Sequence, residues 1–173
     1  MTLIEPDQGP HIAGLKIPSQ LYWVLIDPIP LAGMRLPSSD WPWKALHDAG
    51  FDEVVSLHRG RYDPRPLRLA FSAHLEDLVH GGDPRDEGEQ RTLVAQAVNA
   101  VMLGLESKHG IVVHCYGGRG RTGTVIGCVL RQLGFPAEDA ISFLDRVHKE
   151  RGKDGWPESE WQARLVRTWG ATA

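Results

Sequence analysis

The stretch His114-Cys115-Tyr116-Gly117-Gly118-Arg119-Gly120-Arg121-Thr122-Gly123 constrains this chain more than any other. It follows Ile111-Val112-Val113, a short β-branched run of the kind found in buried central strands. It precedes an apolar segment, residues 122–133, with the spacing of a helix. A strand that enters a helix through a glycine-rich loop belongs to an α/β architecture, in which a parallel strand and its following helix pack face to face.

The rest of the chain fits that frame. Residues 21–26, Leu-Tyr-Trp-Val-Leu-Ile, read as a strand stopped by Asp27-Pro28. A short helix is expected over 43–49, capped by Ser39 or Asp40 and closed by Gly50. Residues 53–57 form a short apolar strand, 58–68 a basic loop with Arg59, Arg61, Arg65 and Arg68, and 69–75 a weaker strand. After the break Gly81-Gly82-Asp83-Pro84, Leu93, Val94, Ala97, Val98, Val101 and Leu105 recur at helical spacing in the longest helix, ending near Glu106. Gly134-Phe135-Pro136 is a turn, and residues 137–150 and 158–169 are two further helices. The expected fold class is therefore α/β, with helices packed on a short sheet.

The loop suits phosphate chemistry. Gly117, Gly118 and Gly120 allow the backbone to turn its N–H groups inward as an anion nest, and the following helix adds the positive end of its dipole. Cys115 lies at the bottom of that nest, where these dipoles and a nearby guanidinium favour thiolate over thiol. Arg121, six positions later, comes round the loop to face the sulfur with a planar fork of donors for two phosphate oxygens. Thr122 is expected to hydrogen-bond the sulfur and help it leave. Cys128 falls on an apolar helix face, where packing is the natural role and redox pairing with Cys115 the alternative.

The loop matches every position of the His-Cys-x5-Arg-Thr/Ser signature and resembles the protein tyrosine phosphatase superfamily, in its compact dual-specificity branch. Tyr22-Trp23 with Pro30-Leu31-Ala32-Gly33, the junction over residues 50–57, and Pro157-Glu158-Ser159-Glu160-Trp161-Gln162 are similar to that family as well. Residues 1–19, with Glu5, Asp7 and several Gly and Pro, read as a flexible lead-in, and the resemblance implies a phosphatase domain over 20–170, with a short, mostly parallel sheet flanked by helices. It implies catalytic roles for His114, Cys115, Arg121 and Thr122, and phosphate binding by Tyr116, Gly117, Gly118, Arg119, Gly120 and Arg121. It implies a phosphocysteine intermediate, no metal or cofactor, and a phosphorylated protein or another phosphomonoester as partner, the chain acting as a monomer.

A thiolate attacking a phosphoester also needs a proton donor for the leaving oxygen. The family carries an aspartic acid on a movable loop before the long helix, here about residues 73–87. Asp77, in His74-Leu75-Glu76-Asp77, is most similar to that position; Asp83 and Asp86 are the other candidates. The family commonly has proline or another aliphatic residue near Leu75 and Glu76, and the spacing to Gly81-Gly82 is longer here. Alignment on the glycines instead would bring His80 to the acid's place.

Two other glycine-loop readings fail. Residues 118–123 satisfy Gly-x-Gly-x-x-Gly, but a dinucleotide fold needs further parallel strands downstream and none is expected after Thr122. A nucleotidase P-loop would need glycine and lysine where Cys115 and Arg121 stand. A phosphate-binding module without catalysis remains, distinguished by loss of the cysteine or arginine that this chain keeps. Basic residues number 19 against 22 acidic, which argues against nucleic-acid binding by charge. No stretch approaches the roughly 18 apolar residues of a membrane span, and two lone cysteines suit a reducing, cytoplasmic setting. Arg59 and Arg61 are expected at the rim of the site, where with Arg119 they would favour an inositol phosphate; solvated surface arginines are the plainer reading.

Overall fold

The computed structural model describes residues 1–170. Five strands form one sheet in the order β1-β2-β5-β3-β4: β1 Leu21–Leu25, β2 Leu31–Met34, β3 Phe51–Ser56, β4 Arg68–Ser72 and β5 Gly110–His114. Only the β1–β2 pair is antiparallel. All five residues of β5 are buried, as its unbroken apolar run requires of a strand covered on both faces.

Alternation along the strands divides two cores. Ile111, Val113 and Val55 face helices α2 (Glu87–Glu106), α3 (Gly120–Gln132), α4 (Ala137–Glu150) and α5 (Glu160–Thr168). Val112, Val54 and Trp23 face the other way, towards α1 (Trp43–Asp48) and the segment before β1. That segment, expected as a lead-in, contributes buried Ile12 and Leu15, and its Pro10 carbonyl accepts a hydrogen bond from Trp23 Nε1 at 2.9 Å.

Three local expectations change. β2 is a strand that the sequence pattern does not announce: four residues, one of them glycine, held by partners on both sides. Gly33 opposes Tyr22 in that pairing, and the Tyr22 ring occupies the space a Cβ at 33 would need. The first helix has Pro42 at its N-cap and no side-chain cap; Ser38 Oγ instead donates to Asp40 Oδ1 at 2.6 Å. Helix α2 starts at Glu87, earlier than its apolar stripe, because Asp86 caps it by accepting from Glu89 N–H. No described helix is long and apolar enough to cross a membrane.

Candidate active site

The loop 115–119 joins the carboxyl end of β5 to the first turn of α3, beneath a cleft of about 160 Å3. Cys115 is 2% exposed and lines the cleft with Asp77, Arg119, Arg121, Lys153 and Glu158.

The loop's carbonyl groups are occupied from outside. Tyr22 Oη donates to Gly118 O at 2.7 Å, and Arg151 donates to Gly117 O at 2.9 Å. Leu36 N–H donates to Tyr116 O at 2.9 Å, and the His114 ring to Cys115 O at 3.0 Å. Gly118 takes φ +76°, with the Met34 carbonyl where a Cβ would project. With the carbonyls turned outward, the N–H groups of residues 116–119 find no partner among the described residues. Orphan backbone donors at the start of a helix form an anion nest.

Arg121 is 5% exposed. It donates to Leu75 O at 3.2 Å and to His58 Nδ1 at 3.2 Å, which makes that nitrogen the unprotonated one. Its buried Nε has no partner among the described residues and remains for a ligand. Burial and the Arg121 charge hold His58 below its ordinary pKa.

His114 has a defined tautomer. A carbonyl only accepts, so Nδ1 carries the proton given to Cys115 O, and Nε2 accepts from Tyr62 Oη at 2.6 Å. Burial lowers His114 to about 4, leaving it neutral at pH 7. Because an unfolded histidine titrates near 6.5, acidification from there towards 4 protonates the unfolded state first and withdraws stability. Tyr62 is itself stacked on Trp43 at 5.3 Å. Tyr62→Phe leaves a buried ring nitrogen unpaired and is expected to lower the unfolding free energy by about 1–3 kcal/mol, measured in denaturant. An unchanged midpoint would contradict the pairing.

The acid candidates separate by position. Asp77 Oδ2 lies 3.6 Å from an Arg121 terminal nitrogen, and Oδ1 accepts from Val79 N–H at 3.0 Å. Asp83 pairs with Arg164 at 3.0 Å and Asp86 caps α2, so neither faces the cleft. His80 is exposed and outside the lining.

One expectation does not hold in this geometry. Thr122 is buried, but its hydroxyl has no partner among the described residues, so the expected bond to the Cys115 sulfur is not made. The Arg119 N–H is one of the unpaired donors of the loop, while its side chain, also in the cleft lining, donates from Nε to Gly155 O at 2.6 Å and has a terminal nitrogen 3.7 Å from Glu158. Arg59 and Arg61 are exposed and do not line the cleft. Cys128 is fully buried in α3, where burial pushes its thiol far up, as suits a packing residue.

Several residues at the site were not singled out for it in the sequence. Glu158, its side chain 8% exposed, has its carboxyl raised by burial against the opposing pull of Arg119. Tyr22, His58, Tyr62 and Arg151 come from segments distant in the chain, joined to the loop only by the folded sheet. A larger cleft of about 740 Å3, lined by residues 1–5 and others near the N-terminus, holds no cysteine or arginine. The smaller one brings the sequence's candidates together: the Cys115 sulfur, unpaired donors of its loop and the Asp77 carboxylate line it.

A family model described as PTP-SAK, Swiss Army Knife protein, DSP-PTPase phosphatase domain, matches residues 19–154. Among curated proteins, the dual specificity protein phosphatase CDC14AB of Danio rerio is 31% identical over 114 residues, which is 64% of this chain and 17% of that protein. The chain spans only 12% and 17% of the length of the curated relatives it matches. Among solved structures, a kinase-associated phosphatase with serine for its catalytic cysteine superposes with TM-score 0.63 at 14% identity, covering 90% of this chain and 98% of that one. PTPMT1 in complex with PI(5)P gives TM-score 0.59 at 16% identity, over 85% and 93%. At these identities the two structures speak to the fold, a mixed sheet flanked by helices.

Proposed function

The chain belongs to the DSP-PTPase phosphatase family, and from that premise we propose that it hydrolyses phosphomonoesters through a phosphocysteine intermediate on Cys115, with phosphotyrosine and phosphoserine or phosphothreonine in proteins as substrates. The observation that supports the reading most is the unpaired Nε of Arg121 together with the unpaired N–H groups of the loop that carries the buried Cys115.

In the first step the substrate phosphoryl group occupies the nest, its equatorial oxygens bound by the N–H groups and the Arg121 fork. The Cys115 thiolate attacks phosphorus, the bond to the leaving oxygen breaks, and Asp77 gives that oxygen its proton. In the second step Asp77 takes a proton from water as the water attacks phosphorus, and phosphate departs with the thiolate restored. The Thr122 hydroxyl, unpaired below the loop, is the donor available to the leaving sulfur. His114 positions the loop through Cys115 O, and Tyr62 fixes its tautomer.

Tyr116 is 65% exposed and the cleft above Cys115 is small and open, which suits both short and long phosphorylated side chains. Two free, buried cysteines suit a reducing compartment such as the cytoplasm, and we take the chain as a monomer. The fold shared with a PI(5)P-bound protein keeps an inositol phosphate as the second reading, although Arg119, the residue most expected to favour it, is paired with Glu158. A panel of phosphotyrosine and phosphothreonine peptides and phosphoinositides, assayed for phosphate release, decides. Peptides are expected to give the higher kcat/KM, and a clear preference for phosphoinositides would replace the protein-substrate reading. Release from none of them, with anion binding intact, would make the chain a binding module.

A further inference from the structure

Arg121 is held by neutral acceptors at a single one of its nitrogens. Nη1 donates to Leu75 O and to His58 Nδ1, each at 3.2 Å. A guanidinium is planar and a terminal nitrogen carries two hydrogens, so a pair of acceptors there fixes the plane in which Nε–H and Nη2 point. Those are the donors left for an anion: Nε is unpaired among the described residues, and Nη2 lies 3.6 Å from Asp77.

His58 is itself fixed in place. It stands two residues beyond Ser56, the end of β3, and Ser56 Oγ donates to its carbonyl at 2.9 Å. Its ring packs against those of His74 and Tyr116, at centroid distances of 5.2 and 5.6 Å. His74 Nδ1 in turn accepts from Arg59 N–H at 3.4 Å, which ties the turn after β3 to the segment that carries Asp77. His58 is not among the residues that line the cleft, so its effect on a substrate passes through Arg121.

An imidazole suits this contact in two ways. Being neutral, it orients the guanidinium without offsetting its charge, whereas a carboxylate in its place would compete with an incoming phosphate. It also accepts at Nδ1 only while that nitrogen carries no proton. Burial, then the neighbouring Arg121 and His74, hold His58 below its ordinary pKa against the pull of Asp77, and Arg59 adds to the lowering.

We propose that His58 is a positioning residue for the phosphatase reaction: its Nδ1, together with Leu75 O, sets the plane of the Arg121 guanidinium, so that Nε and Nη2 meet the phosphoryl oxygens already oriented. The inference rests on the phosphatase reading and adds to it a residue 63 positions before Arg121 in the chain.

The test combines rate, rescue and coupling. With p-nitrophenyl phosphate, His58→Leu should lower kcat/KM about tenfold, the size expected for one hydrogen bond to a charged group. His58→Asn, whose Oδ1 stands where Nδ1 does and accepts in the same direction, should stay within about threefold of the wild type. In an Arg121→Lys background, where the guanidinium is gone, His58→Leu should change kcat/KM by less than about twofold. Where that background gives no measurable rate, the same comparison is made on the affinity for inorganic phosphate. Equal losses in both backgrounds, an Asn variant as impaired as the Leu variant, or an unimpaired Leu variant would each overturn the role. Proton–nitrogen correlation spectra of the wild-type histidine rings read the contact itself, and so decide even if His58→Leu fails to fold. Near neutral pH the proton is expected on Nε2 with Nδ1 free, and a proton on Nδ1 would overturn the bond. If the wild type releases no phosphate from p-nitrophenyl phosphate, the phosphatase reading fails instead. His58 is then judged by the phosphate affinity of the same variants, where equal affinities would reject its hold on Arg121.

Discussion

Cys115→Ser is expected to remove turnover of aryl phosphates and phosphopeptides, by about 10⁴-fold or more, while phosphate and its analogues still bind. The two effects separate because they come from different atoms. The sulfur is the proposed nucleophile, and a serine hydroxyl in the same place has no general base beside it: the neighbouring His114 ring has both nitrogens engaged, one with Cys115 O and one with Tyr62. Anion binding comes from the loop N–H groups and Arg121, which the substitution leaves in place, with the carbonyls of Gly117 and Gly118 kept turned outward by Arg151 and Tyr22. Arg121→Lys is the complementary change. A point charge cannot copy a bidentate contact, and it abandons the bonds to Leu75 O and His58, so both binding and turnover should fall. Calorimetric titration with inorganic phosphate alongside steady-state rates reads both. Loss of binding in Cys115→Ser would mean that the loop had collapsed, and near-normal turnover would dismiss Cys115 as the nucleophile.

Asp77→Asn is expected to slow alkyl phosphate hydrolysis by about two to four orders of magnitude, and p-nitrophenyl phosphate hydrolysis far less. An alkoxide needs its proton as the bond breaks, whereas an acidic phenol departs without one. Asp77 also lies 3.6 Å from Arg121, so its removal frees a guanidinium terminus, and substrate binding should be kept or tightened. Rate loss shared equally by both substrate classes would argue for a structural role. Unchanged rates would remove Asp77 from the mechanism, and Glu158, the other carboxylate lining the cleft, would become the residue to change.

What could be read from the chain was what local chemistry decides. Ile111-Val112-Val113 could only be a buried strand, and the glycines after it could only serve a close turn into a helix, so β5, the loop and α3 were legible together. Strand β2 was not, because Leu31–Met34 is too short for alternation to show and owes its extended form to β1 and β5 on either side. The start of α2 was hidden for a related reason: its first turn is polar and exposed, and only the Asp86 cap marks it. Within the site, Cys115 and Arg121 were legible from their spacing. The direction of the Arg119 side chain was not legible, because it is set by Gly155 and Glu158, 36 and 39 positions further on, which no local pattern encodes. The parts that Tyr62 and Arg151 play at the loop were hidden likewise, since their partners His114 and Gly117 lie 52 and 34 positions away in the chain.

The central claim is that phosphate passes through Cys115, and the most direct test is to catch it there. Asp77→Asn protein mixed with excess p-nitrophenyl phosphate and quenched in acid should hold a phosphoryl group on the peptide that carries Cys115, because the activated phenol leaves without help while water attack on the phosphocysteine lacks its base. Mass spectrometry of the digest should find that increment on Cys115, absent when Cys115→Ser is combined with the same change. Turnover with no phosphorylated enzyme, or a phosphoryl group on any other residue, would contradict the account.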